Sequence, residues 1–313
     1  MVVIRLTSTL WMGNLNYMSR FIFATLGSLV ITATAAAQQV PGRDLFEFPL
    51  GLLAEAPALS MQMTGGLWNP ANAALHAPGR AAFGFAALTT PQEQGVRLDM
   101  VSGAYNLRPS LTASISAVNA GVSDLIRTET DPHSIDGEIP YGSTLLSAGL
   151  AGTRQHVTVG AAARYRWGSS DSDHQGILGI DGGVLVDGIG RVPVRLAAST
   201  FLFSPEGNDE ASYFAAGDVP LFARDSTFSL RAGYSFSHTE TRGHESYTFA
   251  TSRYEMLDLS AGLAVNSVFG STNRSWRLGC GLHYAGYTLA IGREDGAAGL
   301  GASYQFLFTR VMK

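Results

Sequence analysis

The feature that most narrows what this chain can fold into is a period-two alternation that recurs in segment after segment from residue 81 almost to the C-terminus. In Thr227–Ser237, Phe228, Leu230, Ala232, Tyr234 and Phe236 share one parity, and Thr227, Ser229, Arg231, Gly233, Ser235 and Ser237 share the other. Successive side chains of a strand point to opposite faces, so this segment predicts a strand with one greasy face and one wet face. Arg277–Tyr284 divides in the same way, with Leu278, Cys280, Leu282 and Tyr284 against Arg277, Gly279, Gly281 and His283. So does Leu257–Asn266, where Leu257, Leu259, Ala261, Leu263 and Val265 oppose Asp258, Ser260, Gly262, Ala264 and Asn266. Further candidates are 81–88, 96–106, 111–120, 144–151, 156–167, 177–187, 191–203, 211–219, 287–293 and 299–308, about thirteen in all.

Most of these segments are near the 9 to 11 residues that a tilted membrane strand needs, and after residue 37 no apolar run is long enough for a membrane helix. Short links (107–110, 153–155, 188–190) trade with longer polar ones (125–143, 168–175, 204–210), the pattern of short periplasmic turns and longer external loops. A barrel with both ends in the periplasm needs an even strand count. Splitting Glu245–Asn266 into a strand around Tyr247 and Phe249 and a second from Leu257, with a turn near Arg253, gives fourteen; twelve is the other even count. The expected fold is all-β: a closed antiparallel transmembrane barrel with a polar lumen. A secreted β-sandwich also alternates. The last strand favours the barrel, because Tyr304, Phe306 and Phe308 share a face as an interfacial aromatic girdle would.

Composition agrees. Charged residues are 15% of the chain, below the roughly 25% of soluble domains, and the 36 glycines exceed the usual share. A net charge of -4 with no basic run excludes a nucleic-acid partner. The single cysteine, Cys280, rules out an internal disulfide, and its strand phase points it at lipid. On the same phase, Arg97, Asp99, Arg164, Arg166, Asp181, Arg195, Arg231, Asp258 and Arg277 are expected to face the lumen. Buried charges must find partners or water, so mutual pairing is favoured over a solute-selective ladder.

The N-terminus carries the compartment. Arg20 precedes the apolar run Phe21–Ile31 and the small-residue tract Thr32–Ala37, which reads as a signal peptide cleaved after Ala37; Met1–Tyr17 reads as an over-extended start. The expected organisation is a signal peptide (1–37), a plug segment (38–80), the barrel (81–308) and a short tail (309–313), placed in the bacterial outer membrane. Its partners there are membrane lipid and the barrel-insertion machinery, whose C-terminal signal the spacing Gly301, Tyr304, Phe306 resembles.

Segment 38–80 does not alternate, and at its centre stands Gly65-Gly66-Leu67-Trp68-Asn69-Pro70-Ala71-Asn72-Ala73-Ala74-Leu75. With a signal before it and a barrel after it, this tract resembles the FadL and PorV/PorQ-like superfamily of outer-membrane proteins, which carry an Asn-Pro-Ala motif just before strand one. The resemblance implies a plug in the lumen. It also implies one of two roles: FadL members take up long-chain fatty acids and other hydrophobic compounds, and PorV members are accessory barrels for type IX secretion. The expected function is therefore passage of small hydrophobic molecules, with Leu67, Trp68, Asn69, Pro70 and Ala71 as plug and ligand-binding residues. The alternative is an assembly barrel that binds a secreted protein without solute flux. From the residues alone, Asn69 and Pro70 equally suit a simple loop closure, since Asn-Pro is a common turn starter.

No enzyme, cofactor or metal is expected. His156 and His283 fall on inferred lumen faces and His133, His174, His238 and His244 in or beside loops, with no HExxH or GxSxG motif among them.

Overall fold

A computed structural model describes residues 40–312, apart from residues 61, 63, 75–80, 92–93, 124, 128–136, 172, 190–191, 206–210, 225–227, 240–242, 269–270 and 297–300. The predicted signal peptide, the over-extended start, Leu75, His133 and Thr227 lie outside the described residues. The strands are β1 (Ala81–Thr89), β2 (Val96–Arg108), β3 (Leu111–Val122), β4 (Ile126–Arg127), β5 (Gly137–Glu138), β6 (Tyr141–Arg154), β7 (Val157–Ser170) and β8 (Asp173–Ile189). They continue with β9 (Val192–Phe201), β10 (Ser212–Arg224), β11 (Phe228–Thr239), β12 (Gly243–Tyr254), β13 (Leu257–Val268), β14 (Ser271–Tyr284), β15 (Tyr287–Glu294) and β16 (Ser303–Met312).

Fourteen of them form one closed antiparallel barrel, and β4 and β5 make a separate hairpin in the loop between β3 and β6. Because β1 pairs with both β2 and β16, no edge is left with unpaired backbone groups, which the apolar part of a bilayer would not tolerate. The fourteen are those expected, including the split that separates β12 from β13, whose turn falls at 255–256, near Arg253 as expected. Strand ends differ more. The 168–175 link shrinks to 171–172 because β7 and β8 pair out to Ser170 and Asp173, and β16 continues through 309–312, where the sequence suggested a tail.

One end of the barrel carries the two-residue turns 109–110, 155–156, 255–256 and 285–286, together with the start of β1 and the end of β16. The other end carries every longer connection, among them 90–95, 123–140, 202–211 and 295–302. Short turns are periplasmic and long loops extracellular, so the second end is the external mouth.

Alternation is cleanest in β15, where Tyr287, Leu289, Ile291 and Arg293 are exposed and Thr288, Ala290, Gly292 and Glu294 buried. Ile115 (68% exposed), Leu150, Leu278, Leu282, Tyr304 and Phe306 form part of the outward apolar band, with Cys280 also exposed. Two expectations fail here. Arg97 and Asp99 face outward, bonded to each other at 2.8 Å, with Arg97 75% exposed. In β2 both parities are apolar, so the alternation does not decide the phase, and a charge near the external end of a strand can reach the interfacial water. Nor is the lumen simply polar. Leu88, Leu98, Met100, Val118, Leu145, Leu185, Phe201, Phe214, Phe249 and Leu307 point inward and are buried in one apolar cluster with Leu45, Phe46, Leu50, Leu52, Leu67 and Trp68. The interior packs like the core of a soluble domain, because another part of the same chain fills it.

Candidate functional site

That filling is residues 40–74, whose described residues contain only short helical turns: Asp44–Glu47, Pro57–Leu59, Gly65–Trp68 and Pro70–Ala74. A segment with so little regular structure leaves its carbonyls without ladder partners, and buried carbonyls need donors. The barrel wall supplies them. Arg166 Nη1 donates to Val40 O (2.8 Å), Tyr247 Oη to Ala54 O (2.6 Å), Ser260 Oγ to Leu53 O and Arg164 Nη2 to Leu67 O. Gly51 N–H in turn donates to Gln305 Oε1 at 2.9 Å. Inside the segment, Trp68 Nε1 donates to Leu50 O (3.1 Å), and Asn69 and Asn72 both donate to Ala58 O (2.8 and 3.1 Å).

The Asn-Pro-Ala residues sit directly against the wall. Asn69 Oδ1 accepts from Ala71 N–H (3.0 Å), which sets a tight turn, and Pro70 begins the next helical turn. Under this turn lie Gly160 of β7 and Gly183 of β8, opposite each other in the ladder. A Cβ on Gly183 would stand 1.9 Å from Asn69 Oδ1, and one on Gly160 2.3 Å from the carbonyl carbon of Pro70. The two glycines are a seat cut to the depth of the motif. Gly168, under Pro41 O, and Gly279, under Leu53 O, repeat the device, so part of the glycine excess makes room for a segment pressed against the wall.

Above the seat, Trp68 stacks on Phe201 with centroids 4.9 Å apart and meets the edge of Phe214 at 5.7 Å, while Leu67 is buried beside it. The Arg164 guanidinium lies 4.7 Å from the Phe201 ring centre and forms an ion pair with Asp181, whose carboxylate also accepts Leu202 and Phe203 N–H (3.1 Å each). A cavity of about 30 Å³ opens beside Trp68, Phe201 and Phe214. A second, polar chamber of about 180 Å³ lies toward the periplasmic end among Glu55, Gln62, Arg195, Arg231, Arg253, Asp258 and His283.

The remaining charges expected in the lumen are all inward and bonded. Arg195 and Arg231 converge on Asp218, with Arg231 Nη2 at 2.6 Å. Arg277 bridges Glu245 and Glu294 at 2.9 Å each. Asp258 takes Arg253 at 2.7 Å and His283, whose Nδ1 lies 2.7 Å from Thr288 Oγ1. His156 belongs instead to the turn between β6 and β7, where its ring contacts Asp187 O at 3.0 Å. Sequence reasoning passed over Gly160, Gly183, Tyr141, Tyr247, Asp218, Glu245 and Glu294. A glycine at lumen parity within an otherwise full strand is the signal that could have marked the first two.

No protein-family model matches the sequence, and no curated protein matches it. Solved structures do. The chain is similar to the CymD monoaromatic hydrocarbon channel, at 12% identity and a TM-score of 0.55, over 84% of this chain and 97% of that one. It is also similar to the Pseudomonas putida toluene transporter TodX, at 12% identity and a TM-score of 0.55, over 82% of this chain and 95% of that one. This is an outer-membrane β-barrel. At such identity the likeness is one of fold.

Proposed function

We propose that this barrel passes small hydrophobic molecules across the outer membrane, with residues 40–74 as the plug that closes its lumen. The observation that carries the reading is the apolar, aromatic surface at which plug and wall meet: Leu67 and Trp68 on one side, Phe201 and Phe214 on the other. A barrel serving polar solutes has no use for such a lining, which would expel them and hold hydrocarbon. The fold shared with a monoaromatic hydrocarbon channel and a toluene transporter supports the same substrate class.

The cavity beside Trp68, about 30 Å³, is far below the roughly 150 Å³ of a cavity known to admit benzene. A ligand therefore enters only as the plug shifts, and Trp68 leaving Phe201 is the separation that makes the space. The filled lumen is also what an assembly barrel would show.

The test is uptake of a labelled monoaromatic tracer into liposomes holding purified mature protein, compared with Trp68→Ala and with a deletion of 40–74. Uptake by wild type that changes in Trp68→Ala supports the proposal. Wild type that passes no tracer, while the deletion leaks small polar solutes, would show a sealed barrel and favour the assembly role.

A further inference from the structure

The direction in which the segment threads the barrel is legible from its contacts. Its first described residues touch only the external end: Val40 and Pro41 meet Arg166 and Gly168 near the end of β7, and Asp44 meets Tyr141, the first residue of β6. Glu47 accepts from Thr239 Oγ1 (2.8 Å), the last residue of β11. From there the chain descends past Gln305, Ser260 and Tyr247 to the Gly160–Gly183 seat, and residue 81 begins β1 at the periplasmic rim. The lower end of the segment is thus covalently continuous with the wall. The upper end of the described segment, Val40, lies at the external mouth.

We infer that the plug opens from its N-terminal end at the cell exterior, and that Tyr141 is the latch holding that end down. This rests on reading 40–74 as the closing element. Tyr141 is placed to act as one: its Oη donates to Asp44 Oδ1 (2.7 Å) and accepts from Gly42 N–H (3.1 Å), so a single side chain ties down both backbone and carboxylate. Gly42 has φ +74 and would carry a Cβ 2.7 Å from Ser143, so the chain is pressed against β6 at this point in a shape suited to glycine. Asp44 is exposed while Gly42 and Arg43 before it and Leu45, Phe46 and Leu50 behind it are buried, which makes Asp44 the outward point of a sealed body. A solute arriving from outside meets the latch first. Releasing it uncovers Leu50, whose carbonyl holds Trp68, so that opening the top loosens the aromatic contact beneath.

The experiment uses single-cysteine proteins in a Cys280→Ser background, labelled on intact cells with a membrane-impermeant maleimide. Asp44→Cys is expected to label rapidly and Leu50→Cys slowly. Adding Tyr141→Phe, which removes both hydrogen bonds, is expected to speed labelling at Leu50→Cys about 30-fold, the size that two bonds of about 1 kcal/mol imply. Asp44→Cys that reacts only after the outer membrane is permeabilised would overturn the threading direction. A Leu50→Cys rate indifferent to Tyr141→Phe, in protein whose barrel still resists SDS, would overturn the latch. Both readouts are independent of flux, so absence of tracer uptake in liposomes counts against the transport proposal and leaves this one to be decided by labelling.

Discussion

Gly160→Val tests most directly whether the Asn-Pro-Ala turn is seated by the wall. A Cβ there would stand 2.3 Å from the Pro70 carbonyl carbon, 2.4 Å from Ala71 N and 2.6 Å from Pro70 O, where ordinary contact begins near 3.4 Å. The clash is with backbone, which cannot rotate away, so the turn must rise by about 1 Å. Such overpacking costs about 1–3 kcal/mol. The wall itself is unharmed: Gly160 keeps its ladder partners Ala151 and Gly183, and valine suits a strand. The cost therefore falls on the seated state of the plug and lowers the ratio of seated to unseated by about 5- to 150-fold. Two measurements follow it: heat-modifiability on SDS gels, expected to stay that of a folded barrel, and proteolysis within 40–74 together with leakage of a small polar dye from liposomes, both expected to rise. Ala161→Val, the adjacent residue facing lipid, is the control and should change neither. A Gly160→Val protein that is folded, protease-resistant and tight would refute the seat.

Arg164→Met alone should destabilise the barrel by about 3–5 kcal/mol in a urea titration, since it leaves Asp181 buried without its counter-charge, and Arg164→Met with Asp181→Leu should recover much of the loss. Outward placement is checked by Ile115→Arg, expected to cost about 2–4 kcal/mol if that position lies near the bilayer midplane, whereas Arg97→Ala, at the external end of β2, should cost less than about 1 kcal/mol in the same titration.

Local chemistry already determined the wall of this protein. Period-two alternation is a property of each strand by itself, so the fourteen strands, their order and the outward faces of β11, β13 and β14 could be read before any contact was known. The phase of β2 could not be, because Val96, Leu98 and Met100 rival Val101 and Tyr105 in hydrophobicity, and only packing against neighbours turned Arg97 and Asp99 outward. The partners of the inward charges were likewise hidden: Asp218 joins Arg195 and Arg231 through ladders between three strands, and no spacing along one strand encodes that. What tertiary structure alone decided is the interior. Residues 40–74 have no periodicity to read, and their conformation is set by donors and glycines that arrive from strands about ninety or more residues away. A strand carries its pattern in its own side chains, while an irregular segment inside a barrel takes its shape from the wall that satisfies its backbone.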